Sequence, residues 1–84
     1  MSDELRLLLR GRRLGRDGTG RAVRQAAGLS LRDVAGLARV QPSALCRWEL
    51  GQDQPSRSAA IRWAEVVGEI EEELARLSDE GGAA

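Results

Sequence analysis

The sequence predicts an all-α fold, a compact bundle of five helices. Three observations carry that prediction. Apolar residues recur at three- and four-residue spacings, as in Val34, Leu37 and Ala38, in Leu45 and Trp48, and from Trp63 through Leu77. Serines and a proline stand where helices would begin, and glycines stand where they would end.

Taken in order, Ser2 or Asp3 can cap a first helix running through Leu5, Leu8 and Leu9 to about Arg13. Its leucines cluster on one side, which predicts that this segment docks on the body. Gly15 to Gly20 holds three glycines in six residues and reads as a loop. No strand precedes this loop and no Gly-Lys-Ser/Thr follows it, so a phosphate-cradling cofactor site is not expected. Thr19 or Gly20 opens a second helix, Arg21 to Ala27, which ends at Gly28. Ser30 then caps a third helix, Leu31 to Leu37, with Asp33 placed to complete a capping box. Val40 is expected to be buried in the following turn. Gln41 occupies the next N-cap and Pro42 the first helical position, where a missing N–H costs nothing. This fourth helix runs to about Leu50 and stops at Gly51. Gly51 to Ser56 is a second loop, and Ser56 caps the last helical region.

Composition narrows the chemistry. A chain of 84 residues predicts one domain, and it contains no histidine, tyrosine or phenylalanine and a single cysteine, Cys46. Disulfide frameworks, Cys/His zinc sites and histidine-dependent nucleophiles are excluded, so neither an enzyme nor a metal or cofactor is expected. No stretch approaches the roughly 20 apolar residues of a membrane span, and Leu7-Leu8-Leu9 is too short for a signal peptide, so a cytoplasmic location is expected. The formal net charge of zero hides an asymmetry. Residues 1–62 carry twelve arginines against six acids, whereas residues 63–84 carry Arg76 against seven acids. A basic body with an acidic tail suits a partner that presents phosphate to one side only.

The two faces of the fourth helix separate by spacing. Leu45 and Trp48 point together and, being large and apolar, must go inward. Ser43, Ala44 and Arg47 form the opposite face. A serine, a methyl and an arginine one turn apart suit a DNA major groove: Arg47 can donate twice to guanine O6 and N7, Ala44 can touch a thymine methyl, and Ser43 can bond a base or a phosphate. Spacing alone is equally satisfied by a solvated helix face.

Residues 21–67 resemble the core of the phage repressor/Cro-like (Xre-type) helix-turn-helix superfamily. The resemblance rests on Arg24, Gly28-Leu29-Ser30, Ala35 at the small crossing position, Val40, Arg47-Trp48-Glu49, Gly51 and Pro55-Ser56. It implies the lambda-repressor-like bundle and a set of roles. Gln41, Pro42, Ser43, Ala44 and Arg47 would face bases, while Arg21, Arg24, Ser30, Leu31 and Arg39 would lie at phosphates. Glu49 would pair with Arg24, locking the motif to the helix before it. Three positions depart from the pattern: Leu31 stands where relatives usually carry glutamine, Arg39 where they often carry glycine, and Pro42 where they carry a polar base reader.

Other segments carry secondary expectations. Arg10, Arg12, Arg13 and Arg16 form a basic N-terminal cluster that could follow the DNA backbone. Trp48 and Trp63 are expected in the core. Trp63, Val67, Ile70, Leu74 and Leu77 repeat at heptad spacing, suited to a dimer seam or to packing back on the core, and at Gly68 the helix would either break or continue with a local weakness. Ser78 to Ala84 is expected to fray. The organisation expected is residues 1–18 as an N-terminal helix and basic loop, 19–67 as the DNA-binding core, and 68–84 as an acidic C-terminal helix and tail. The function implied is a sequence-specific double-stranded DNA-binding transcription regulator, a Cro-like repressor of phage or mobile-element type, acting as a homodimer on a palindromic operator. The alternatives are an antitoxin that represses its own operon, with a toxin partner, and a protein-interaction module or antirepressor, with a repressor partner, that has lost DNA binding.

Overall fold

The computed structural model describes residues 2–82 and consists of five helices: α1 (Asp3–Leu14), α2 (Thr19–Ala26), α3 (Leu31–Ala38), α4 (Pro42–Glu49) and α5 (Arg57–Gly82). Local chemistry sets most of the boundaries. Ser2 Oγ accepts the Leu5 N–H at 3.1 Å, and acids in the first turn of α1 and arginines in its last turn complement the helix dipole. At α3 the Asp33 N–H donates to Ser30 Oγ at 3.0 Å and the Ser30 N–H to Asp33 Oδ2 at 2.9 Å, the reciprocal capping box. The Ser30 N–H, and after it the Ser30 hydroxyl, hold the Asp33 carboxyl below its ordinary pKa.

The core is built by α5, which every other helix except α4 touches extensively. Trp63, fully buried, sits at the centre and meets Trp48 with ring centroids 5.8 Å apart at a 40° tilt. Around them pack Leu14, Val34, Ala35, Ala38, Leu45, Ala64, Val67 and Ile70. Leu14 from α1 and Ile70 from α5 thus belong to the same cluster as the central helices, and α5 passes residue 67 without a break.

Helix α1 docks by a different face from the one expected. Leu5 and Leu9 are exposed and Leu8 is half-buried, while Leu7, Gly11 and Leu14 face the body. Gly11 decides this: a Cβ there would stand 2.1 Å from the Ala60 carbonyl oxygen, so the two backbones meet where no side chain fits. Gly15 does the same at the end of the helix, where a Cβ would stand 2.0 Å from the Trp48 carbonyl oxygen.

Helix α5 also corrects the reading of the C-terminal region. It continues through Gly68, one of the two outcomes open there, and does not fray at Ser78 but runs to Gly82, its 26 residues spanning about 39 Å in a molecule 42 Å long; Ala83 and Ala84 of the expected tail lie outside the described residues. The glycine penalty of about 1 kcal/mol is offset by packing on both sides of it, and Arg76 bonds Glu73 and Glu80 across the last turns. The heptad stripe is consumed by the protomer. Trp63, Val67 and Ile70 are buried in its own core and Leu74 is half-buried against it, which leaves Leu77 alone exposed. Trp63 and Val67, at 0% and 1% exposure, are thus spent on the protomer's own core and not on the expected seam.

Candidate nucleic-acid interface

The turn between α3 and α4 is held by backbone geometry. Arg39 adopts φ 58° and ψ 48°, the only described non-glycine residue with positive φ, and the Val40 N–H donates to Ala35 O at 2.9 Å. A left-handed residue that is not glycine costs about 1–2 kcal/mol, and the arginine it places here is exposed. Gln41 caps α4 through its backbone without a side-chain bond, and Pro42 occupies the first turn. Ala35 and Ala38 are buried at the crossing, where small side chains let the two helices approach.

Helix α4 presents the two faces that its spacing requires. Leu45 and Trp48 are buried, and Gln41, Pro42, Ser43 and Arg47 are exposed. Ala44 is the exception. It is half-buried against the core, so its methyl is only partly available to a base edge.

One buried ion pair fastens this helix to the rest. Arg24 Nε donates to Glu49 Oε2 at 2.8 Å and Nη2 donates to Oε1 at 3.0 Å, while Nη1 donates to the Leu29 carbonyl at 3.0 Å. The Glu49 side chain is 4% exposed and that of Arg24 14%. The bidentate geometry ties α4 to α2 and, through Leu29, to the entry of α3. Glu49 holds the Arg24 guanidinium above its already high ordinary range, which desolvation alone would lower. Three N–H groups of Arg24 are thereby committed inside the protein, which leaves two of its five for a phosphate. Arg24 is first a strut.

The remaining phosphate candidates are placed more openly. Arg21 and Ser30 are exposed and Leu31 is half-buried. Leu31 and Arg32 open α3, so their N–H groups have no partner within the helix. The N-terminal arginines do not form one patch. Arg10 and Arg13 turn to one side, where with Arg6 and Leu9 they line a hollow of about 410 Å³. Arg12 and Arg16 turn to the other, beside Trp48, Gly51 and Asp53. Two positions along a helix rotate a side chain by about 200°, which separates the pairs. Arg10 is further drawn to Glu71 of α5 at 2.6 Å, and the Arg12 Nε is buried without an acceptor among the described residues. Arg13 and Arg16 are exposed.

Asp53 went unmarked in the sequence. Its Oδ2 lies 3.7 Å from Arg47 Nε, across the loop that follows α4. Helical periodicity ends at Glu49, so no spacing rule relates the two positions. A second feature also needed the fold. Leu29 and Leu37 line, with Val66, Ile70 and Leu77 of α5, an apolar groove of about 320 Å³ edged by Glu69 and Glu73. Leu37 and Leu77 are 60% and 54% exposed there.

No described helix is long and apolar enough to cross a membrane. No curated protein and no solved structure gives a significant match to the chain. The profile of the helix-turn-helix domain family matches residues 21–77, from the start of α2 through most of α5. With α3, the turn at Arg39 and α4 arranged as described, the chain belongs to the helix-turn-helix domain family, an architecture of DNA-binding regulators.

Proposed function

We propose that this protein is a sequence-specific double-stranded DNA-binding transcription regulator that represses by occluding an operator. The observation that carries the reading is α4. It exposes Gln41, Ser43 and Arg47 on one side, buries Leu45 and Trp48 on the other, and is fixed to the body by the Arg24–Glu49 pair. A rigid helix with an exposed arginine can enter a major groove and donate twice to guanine. Arg21, Arg39 and the opening N–H groups of α3 would meet the flanking phosphates, with Arg16 beyond the other end of α4. The acidic half of α5 would point away from the duplex.

We place the organisation in the same terms: residues 19–67 carry the reading surface, α1 buttresses it, and the last turns of α5 project from it. The exposed leucines that remain support a homodimer on a palindrome. Leu37 and Leu77, flanking the apolar groove, replace the heptad seam as the contact. That same groove favours a second reading, an antitoxin or antirepressor whose α5 face grips a protein partner.

Selection from a random duplex library at about 150 mM salt, near physiological screening, tests the reading beside Arg47→Ala. The native protein is expected to enrich a palindrome. Arg47→Ala is expected to lose about 1–3 kcal/mol of preference at one G·C pair. If nothing is enriched and binding vanishes with modest salt, the contacts are only electrostatic, the operator reading fails, and the protein-partner reading takes its place.

A further inference from the structure

We propose that Asp53 is a positioning residue for Arg47, selecting which edge of its guanidinium is offered to DNA. The proposal rests on the reading of α4 as a base-reading helix. An arginine can donate two parallel hydrogen bonds along either of two edges, Nε with one terminal nitrogen or the two terminal nitrogens together. In the structure Asp53 Oδ2 faces Nε at 3.7 Å, an ion-pair distance longer than a hydrogen bond, and makes Nε the guanidinium nitrogen nearest the carboxylate. The carboxylate thus lies on the Nε side, and the terminal edge carries no hydrogen bond among the described residues. The terminal edge fits guanine O6 and N7 head-on.

One hydrogen bond reaches the carboxylate itself, and backbone bonds hold the loop that carries it. Asp53 Oδ1 accepts the Gln54 N–H at 2.9 Å, which leaves Oδ2 for Arg47. The Gln52 N–H donates to the Arg47 carbonyl at 2.9 Å, and the Gly51 N–H to the Trp48 carbonyl at 3.1 Å. Pro55 is buried two residues later. The loop is thus tied to the backbone of the residue whose side chain it faces. Both side chains are about half exposed (50% and 57%), so the pair adds little to stability. Its consequence lies at the surface. A fixed negative charge beside Arg47 also makes the guanidinium a poorer phosphate ligand, which separates base reading from generic backbone binding.

Removing the charge should therefore move affinity and specificity in opposite directions. The experiment compares native protein, Asp53→Asn, Arg47→Ala and the double variant by random-duplex selection. Titrations over a range of salt concentrations on the selected duplex and on a scrambled one accompany it. Asp53→Asn is expected to cut discrimination at the G·C pair that depends on Arg47 by about five- to tenfold, part of what the full bidentate pair supplies. Affinity for the scrambled duplex is expected to rise, with a salt slope steeper by up to about one, as Arg47 gains a phosphate. In the Arg47→Ala background the same change should leave discrimination unaltered. Unchanged thermal melting of Asp53→Asn would show that the effect is not loss of fold. Discrimination kept within twofold in Asp53→Asn overturns the positioning role while leaving the DNA reader intact. Failure of native protein to enrich any sequence, or of Arg47→Ala to alter any position, overturns the base-reading premise and the proposal with it.

Discussion

Cutting the Arg24–Glu49 pair from one side should cost this domain a large share of its stability. In Glu49→Ala the guanidinium loses both hydrogen bonds to the carboxylate, at 2.8 and 3.0 Å, and keeps only the Leu29 carbonyl. Breaking a buried pair singly costs about 3–5 kcal/mol when the survivor stays buried. Arg24 is 14% exposed and its long stem can carry the charge outward, which brings the expected loss below that range, to about 2–3 kcal/mol. For a domain this small that corresponds to a fall in Tm of about 10–20 °C. Arg24→Ala should cost at least as much, because the Glu49 side chain, 4% exposed, has no route to water. Far-UV circular dichroism melts and urea titrations of both single variants and of Arg24→Ala/Glu49→Ala complete a double-mutant cycle. A coupling energy of about 2 kcal/mol is expected, and Arg24→Met/Glu49→Leu should recover most of the stability by replacing the ions with packed apolar groups. Single losses below about 1 kcal/mol that simply add in the double variant would refute the view of this pair as the lock on α4.

Three further outcomes follow from particular residues. Gly11→Ala should destabilise by about 1–3 kcal/mol through overpacking, because its Cβ would meet the Ala60 carbonyl; a stabilising effect in thermal melts, as at a solvent-facing helix glycine, would contradict the close approach of α1 and α5. Arg39→Gly should relieve the left-handed strain and stabilise by about 1 kcal/mol, while lowering the salt slope of DNA binding by about one if the side chain meets a phosphate; unchanged urea midpoints would remove the strain argument. Asp33 titrates with a depressed pKa in the folded state, so its contribution is present above the ordinary carboxylate range near 4 and is lost as pH falls through the folded value. Urea midpoints measured across that window should decline less steeply for Asp33→Asn than for the native chain, and parallel curves would show that the capping bond carries no linkage.

Some of this protein was legible residue by residue because the governing interactions are local. The capping box at Ser30 and Asp33 and the proline opening α4 each act within four positions along the chain, and the structure has them as expected. The inward turn of Leu45 and Trp48 followed from helical period alone. The Arg24–Glu49 pair spans 25 positions and came from family resemblance, since no spacing rule relates residues so far apart.

What the tertiary structure decided lies where distant segments compete for the same surface. Leucine spacing predicted that Leu5, Leu8 and Leu9 would dock α1, but a glycine at 11 let two backbones touch, and that contact rotated Leu5 and Leu9 into solvent. Heptad spacing from Trp63 to Leu77 is the same whether a helix packs on a second copy or on its own body. Only the presence of Leu14, Val34, Leu45 and Trp48 around Trp63 settled that most of the stripe faces inward. The pairing of Asp53 with Arg47 depends on how a loop folds back after α4 has ended. Sequence by itself determined the first four helices and which residues of α4 must be buried, because caps and periodicity act over one or two turns, whereas the full length of α5 did not follow from it. The docking of α1, the fate of the heptad stripe and the company of Arg47 required the fold, because each turns on atoms brought together by packing rather than by position along the chain.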